Sequence, residues 1–145
     1  MRVKLKTLES YFFKTDLVIR VDDLNYADHL SNDRILTYAH QARVELLAAW
    51  GYKELEFGGV GIIMTDAVVV YKSEGHLGDK LQIEVGIDDL SSVGFDLYYR
   101  ISNIETGKEV AQVKTGIICY DYNLKKVVMI PKEVVQKIEL AGEKK

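Results

Sequence analysis

Two hydrophobic periods divide the chain. From Asp33 to Trp50, the apolar residues Ile35, Ala39, Ala42, Leu46, Ala49 and Trp50 recur mostly at steps of three and four, leaving Arg34, Gln41, Arg43 and Glu45 elsewhere on the wheel. That spacing predicts one amphipathic helix of about five turns. Ser31 or Asn32 can cap its start, Asp33 suits the positive end of its dipole, and Gly51 suits a left-handed cap after Trp50.

Elsewhere the period drops to two. Leu17 to Asp22 is β-rich and runs into the polar loop D-D-L-N-Y-A-D-H-L-S-N, which predicts a first strand. Beyond the helix come four β-like runs: Val60 to Tyr71, Leu81 to Ile87, Gly94 to Ile101 and Glu109 to Tyr120. Leu81, Ile83, Val85 and Ile87 alternate with polar residues or glycine, and Phe95, Leu97, Tyr99 and Ile101 with Asp96, Tyr98 and Arg100. Each of these two strands therefore has one wet face. Gly78-Asp79 and Glu105-Thr106-Gly107-Lys108 supply turns, and Pro131 opens a short helix over Lys132 to Leu140. The resulting order is strand, long helix, four antiparallel strands, short helix. One helix cannot cover both faces of a five-stranded sheet, so a face or edge is left for association, and a homodimer or homotetramer is expected.

Composition narrows the function. At 145 residues the chain fits one domain, expected to span 1–145, and a domain of that size buries roughly 70% of its unfolded surface. A net charge of −3 gives no positive field for nucleic acid or an anionic membrane. Met1 to Ser10 lacks the uninterrupted apolar run and small-residue cleavage site of a secretory leader, and no apolar run approaches the ~18 residues of a membrane span. A single cysteine, Cys119 in I-I-C-Y, reads as a small apolar strand residue, and a cytoplasmic location is the expectation. No cofactor is expected. Nor is a metal, because no two of His29, His40 and His76 share a helix turn and no cysteine accompanies them.

The segment R-V-D-D-L-N-Y-A-D-H-L-S-N-D-R-I-L-T-Y-A-H-Q-A-R-V-E-L-L, Arg20 to Leu47, resembles the opening of the 4-hydroxybenzoyl-CoA thioesterase-like and acyl-ACP thioesterase-like branch of the hot-dog superfamily. G-V-G-I-I-M-T-D-A-V-V-V-Y-K-S-E-G-H-L-G-D-K-L-Q-I-E-V is similar to the second strand, turn and third strand of that family. The likeness runs over about Leu17 to Ile130. It implies an α+β hot-dog fold, a long central helix wrapped by a five-stranded antiparallel sheet, and a thioesterase acting on an acyl-CoA or acyl-carrier-protein thioester.

Mapped residue by residue, the resemblance puts the family's first Asp on Asp23, its catalytic Asp on Asn25, its His on His29 and its helix-start residue on Asn32. Asn25 is a departure. A carboxylate can attack a thioester carbonyl or take a proton from water, whereas an amide can only position or polarise. Asp23, Asp28 or Asp33 are then replacement acids or bases. A helix N-terminus itself suits a developing oxyanion, with Asn25, His29, Asn32 and Asp33 around it. The candidate catalytic set is thus Asp23, Asn25, His29, Asn32 and Asp33.

Other residues weigh less. Tyr26 and Tyr38 could line an acyl pocket but suit a core equally. His40 and His76 read as surface or loop residues, and Asp66, inside an apolar run, as a strand carboxylate that needs a partner. Gly58-Gly59-Val60-Gly61 precedes a strand and does not make a phosphate loop. Two competing functions remain: a hot-dog module that binds acyl thioesters without turnover, and a hydratase, because Asp23-x-Asn25-x-x-x-His29 approximates that branch's Asp-x-Asn-x-x-His.

Overall fold

The computed structural model describes residues 2–143, so Met1, Lys144 and Lys145 of the expected 1–145 domain lie outside the described residues. Strands β1 (Phe13–Val18), β2 (Gly61–Tyr71), β3 (Lys80–Asp88), β4 (Gly94–Asn103), β5 (Glu109–Asp121) and β6 (Lys126–Val127) accompany helices α1 (Arg34–Ala49) and α2 (Lys132–Glu143). The sheet is antiparallel in the order β1-β3-β4-β5-β2, with β6 on β5. It has six strands where the sequence predicts five, because residues 126–127 are long enough to pair Tyr120 and Asp121 but too short to show a period.

The alternation in β3 and β4 does what the pattern predicts. Leu81, Ile83 and Val85 point inward with Leu97, Tyr99 and Ile101, the register pairing Val85 with Tyr99 and Ile83 with Ile101. Helix α1 lies on this face through Ile35, Tyr38, Ala39, Ala42, Leu46 and Leu47. Ala39 and Ala42 are fully buried, and their small side chains let the helix approach the sheet closely. Gly51 ends the helix with φ +87°, as its composition demands.

Three expectations change. The first strand begins earlier, at Phe13, and Val21–Asp23 forms a 3₁₀ turn, because the Asp23 carboxylate accepts the Arg20 N–H (3.0 Å) and curls the chain. Arg43 is buried rather than solvated, with Leu47 instead of Ala49 completing the apolar stripe. Its guanidinium donates to Glu54 (3.1 Å) and to the Tyr99 hydroxyl (3.3 Å), which is itself 2.9 Å from Thr115 Oγ1. The far face of the sheet is also not left bare. The N-terminal segment crosses it, pairing Lys6 with Asp88 and Asp89, laying Tyr11 on Arg100, and seating Leu8 where a Cβ on Gly86 would collide with it.

Asp66 sits at a bulge in β2 and is exposed, paired to Lys114 on β5 at 2.8 Å, so it has its partner without being buried. Cys119 is fully buried on β5, and burial pushes its thiol up to about 11, which suits an inert core residue.

Candidate active site

The polar loop between β1 and α1 is held by its own side chains. Asn25 Oδ1 accepts the N–H groups of Ala27 (2.9 Å) and His29 (3.2 Å), while the main chains of Asn25 and His29 also bond at 2.8 Å. Asp28 takes φ +62°, which its short polar side chain tolerates, and Leu24 faces Leu30 as an antiparallel bridge. Asn25 therefore folds the loop into a tight turn.

This turn docks on the segment that follows β2. Leu30 N–H donates to the Gly75 carbonyl (2.8 Å) and His29 pairs with His76 as an isolated β-bridge. The pairing brings His29 Nε2 to 3.4 Å from Glu74 Oε2, and His76 Nε2 to 3.9 Å from the same oxygen. The two imidazoles meet edge to face, centroids 5.2 Å apart. Helical spacing could not reveal this cluster, because the histidines lie on two loops joined through the backbone.

A cleft of about 390 Å³ opens beside the pairing and is lined by Asn25, His29, Asn32, Ile35, Tyr71, Lys72 and Glu74, among others. It gathers three of the five candidate residues. Asn32 reaches it at the start of α1, where its carbonyl accepts the Tyr71 hydroxyl (3.0 Å). Among the described residues no side chain caps the α1 amides, contrary to the expected role of Ser31 or Asn32, and the first of them, Arg34 N–H, donates to the Ser31 carbonyl (3.1 Å). Ser31 instead donates to the Asp33 carboxylate, which holds that carboxyl below its usual range.

Asp23 and Asp33 do not line the cleft. Asp23 is buried, accepting from Arg20 N–H and from the Tyr38 hydroxyl (2.8 Å), with Arg34 Nε at 3.7 Å. Its carboxylate is consumed in fixing the 3₁₀ turn to α1. That same contact assigns Tyr38 to the core, where burial and the Asp23 charge push its phenol up. Tyr26 projects fully into solvent and lines nothing within one chain. His40 pairs with Glu54 on the far side of the Arg43 cluster.

Glu74 is the residue that sequence reasoning passes over. It stands within the quoted Y-K-S-E-G-H stretch, where it reads as a turn residue; only the β-bridge turns it toward His29. An imidazole within ion-pair distance of a carboxylate, at the mouth of a cleft on a helix N-terminus, is a set of groups that can accept a proton from water and stabilise an oxyanion.

The family model described as the thioesterase-like superfamily matches residues 19–138. This chain belongs to the thioesterase-like superfamily. The fold of this superfamily member is shared with the 1,4-dihydroxy-2-naphthoyl-CoA thioesterase of Synechocystis, at 20% identity over 87% of this chain and 94% of that one, with a TM-score of 0.80. It is shared also with the probable thioesterase YbaW of Escherichia coli, at 21% identity over 87% and 96% with a TM-score of 0.75. A DHNA-CoA thioesterase of Staphylococcus aureus matches at 20% identity over 90% and 88%, again with a TM-score of 0.75. Among curated proteins none matches the sequence significantly. The architecture is the α+β hot-dog expected from the resemblance, and among the described residues no helix is long and apolar enough to cross a membrane.

Proposed function

We propose that this chain hydrolyses acyl thioesters in the cleft at the start of α1. The observation that carries the reading is the 3.4 Å approach of His29 to Glu74 at the rim of that cleft. Water gives its proton to the Glu74–His29 pair as its oxygen bonds to the thioester carbon, and the α1 amides that follow Arg34 hold the carbonyl oxygen as it gains charge. The C–S bond then breaks, and the proton passes to the departing thiolate. Asn25 acts as a positioning residue through the turn it folds, and Asn32 sets the entrance to the helix.

Coenzyme A is the favoured thiol carrier over an acyl-carrier protein, since two of the similar structures are CoA thioesterases by name. A homodimer or homotetramer is the favoured assembly. Strand β2 is the terminal strand of the sheet, bonded on its outer side to Glu54 through Ile62 N–H, and it carries exposed Met64 and Tyr71, a surface suited to a second copy. A cytoplasmic setting fits the lone buried thiol. The hydratase alternative loses its acid, because Asp23 is tied to Arg20 and Tyr38.

The test is a panel of acyl-CoA esters read for thiol release, enoyl absorbance and thermal shift. Thiol release that falls more than ~10²-fold in both Glu74→Gln and His29→Ala, at unchanged melting temperature, is the expected result. Thermal shift without release would make the chain a binding module, and equal loss of stability and activity would reduce His29 to a structural role.

A further inference from the structure

We infer that His29, Glu74 and His76 form a binding site for a divalent transition metal ion of the zinc class. Their ligand atoms all lie within 4.8 Å of one another, with 3.4 and 3.9 Å from the Glu74 oxygen to the two imidazole nitrogens. Zinc bonds of 2.0–2.2 Å in a tetrahedron set ligand atoms about 3.4 Å apart, so rotation of the side chains alone closes the set. The backbone is already positioned. The His29–His76 bridge and the Leu30–Gly75 hydrogen bond hold both ligand loops in register, so the ion would not need to organise them.

The chemistry of the donors selects the ion. Two imidazoles and one carboxylate suit zinc, copper or nickel, whereas magnesium and calcium require oxygen-rich shells. The three side chains are 37%, 65% and 57% exposed for His29, Glu74 and His76, which leaves a path for entry and a fourth position for water. Two of the three are also the groups assigned to hydrolysis. The site takes its geometry independently of that reading, and an ion bound there would withdraw both groups from proton transfer.

The experiment is zinc titration of the metal-stripped full chain against a chromophoric chelator, with cobalt substitution read by its d–d absorption. One tight equivalent per chain and a tetrahedral cobalt band are expected. Outer-shell partners alone contribute ~10–100-fold to metal affinity, so loss of a direct ligand in His76→Ala or Glu74→Gln should weaken zinc by at least ~100-fold. His40→Ala, at a separate pair with Glu54, should bind as the wild type does. Melting curves without metal confirm that the variants fold. Failure of the wild type to take up zinc, or undiminished binding by folded His76→Ala, would overturn the site. Thiol release is read on the metal-stripped chain: zinc uptake with no release there would leave the metal site standing alone, and the hydrolytic reading would fall separately.

Discussion

Gly75 accepts the Leu30 N–H at 2.8 Å while standing so close to Leu30 that a Cβ on it would meet the Leu30 Cβ at 3.0 Å and Ile19 Cδ1 at 2.7 Å. The contact sets the distance between the loop carrying His29 and the segment carrying Glu74 and His76. Gly75→Ala should force the two apart, at a cost of about 1–3 kcal/mol from overpacking. Urea denaturation checks the stability. Thiol release and zinc affinity should fall together and by more than the stability loss explains, since their shared geometry is what moves.

The buried Arg43 cluster supports a second expectation. Removing one partner of a fully buried ion pair costs about 3–5 kcal/mol, but Glu54 is a third exposed and keeps His40, and Tyr99 keeps Thr115. Arg43→Ala should therefore cost about 2 kcal/mol, and Arg43→Met less, because its stem still fills the space. A lower urea midpoint at constant slope is the readout. Equal stability of Arg43→Ala and the wild type would mean that the cluster contributes nothing.

The legibility of the fold differs from that of the site for a physical reason. Strands such as β3 and β4 bury one face, so their alternation is printed in the residue order, and α1 shows its stripe and its Gly51 stop in the same way. Arg43 escaped because a helical wheel assigns charge to solvent and cannot see that Glu54 and Tyr99 wait across the interface. The loop residues Asn25, His29 and Asn32 were legible through resemblance, and the structure gathers them at one cleft. Asp23 was placed by the resemblance and Asp33 by its position at the helix start, and their hydrogen bonds take both elsewhere. Glu74 was hidden because a carboxylate 45 positions from His29 has no local signature; a backbone bridge is what joins them.

Asp96 makes stability depend on pH. Its burial, with the hydrogen bond it shares with Asp89, raises its carboxyl from the ordinary 3.8 to about 6, despite Lys114 at 3.7 Å. The folded state then binds the proton more tightly than the unfolded state. The contribution is present in full below pH 4 and lost as pH rises to 6, so at pH 7 the ionised group opposes folding. Asp89 runs the other way, held at about 2 by Lys6 and Tyr98, so its contribution disappears only as pH falls from 4 towards 2. Asp96→Asn should raise the melting temperature at pH 7 and flatten its slope between pH 4 and 6. Scanning fluorimetry across that window checks this; an unchanged slope would mean that Asp96 titrates normally.

Asn25 decides which carboxylate does the work. Its Oδ1 accepts from Ala27 and His29, and a carboxylate oxygen can accept both bonds, so Asn25→Asp should keep the turn and the melting temperature. The change in activity then has a readable sign. If position 25 were the seat of the lost base, the new carboxylate beside the α1 N-terminus would raise hydrolysis, because the helix field favours its ionised form. If Glu74 is the base, the new carboxylate adds no base the reaction uses, and its negative charge in the same cleft opposes the oxyanion forming at the α1 N-terminus, so hydrolysis should fall. The His29–Glu74 approach favours the second outcome, a loss of several-fold in kcat. Glu74→Gln in the Asn25→Asp background separates the alternatives: silence there keeps Glu74 as the base, while recovery of hydrolysis would return that role to position 25.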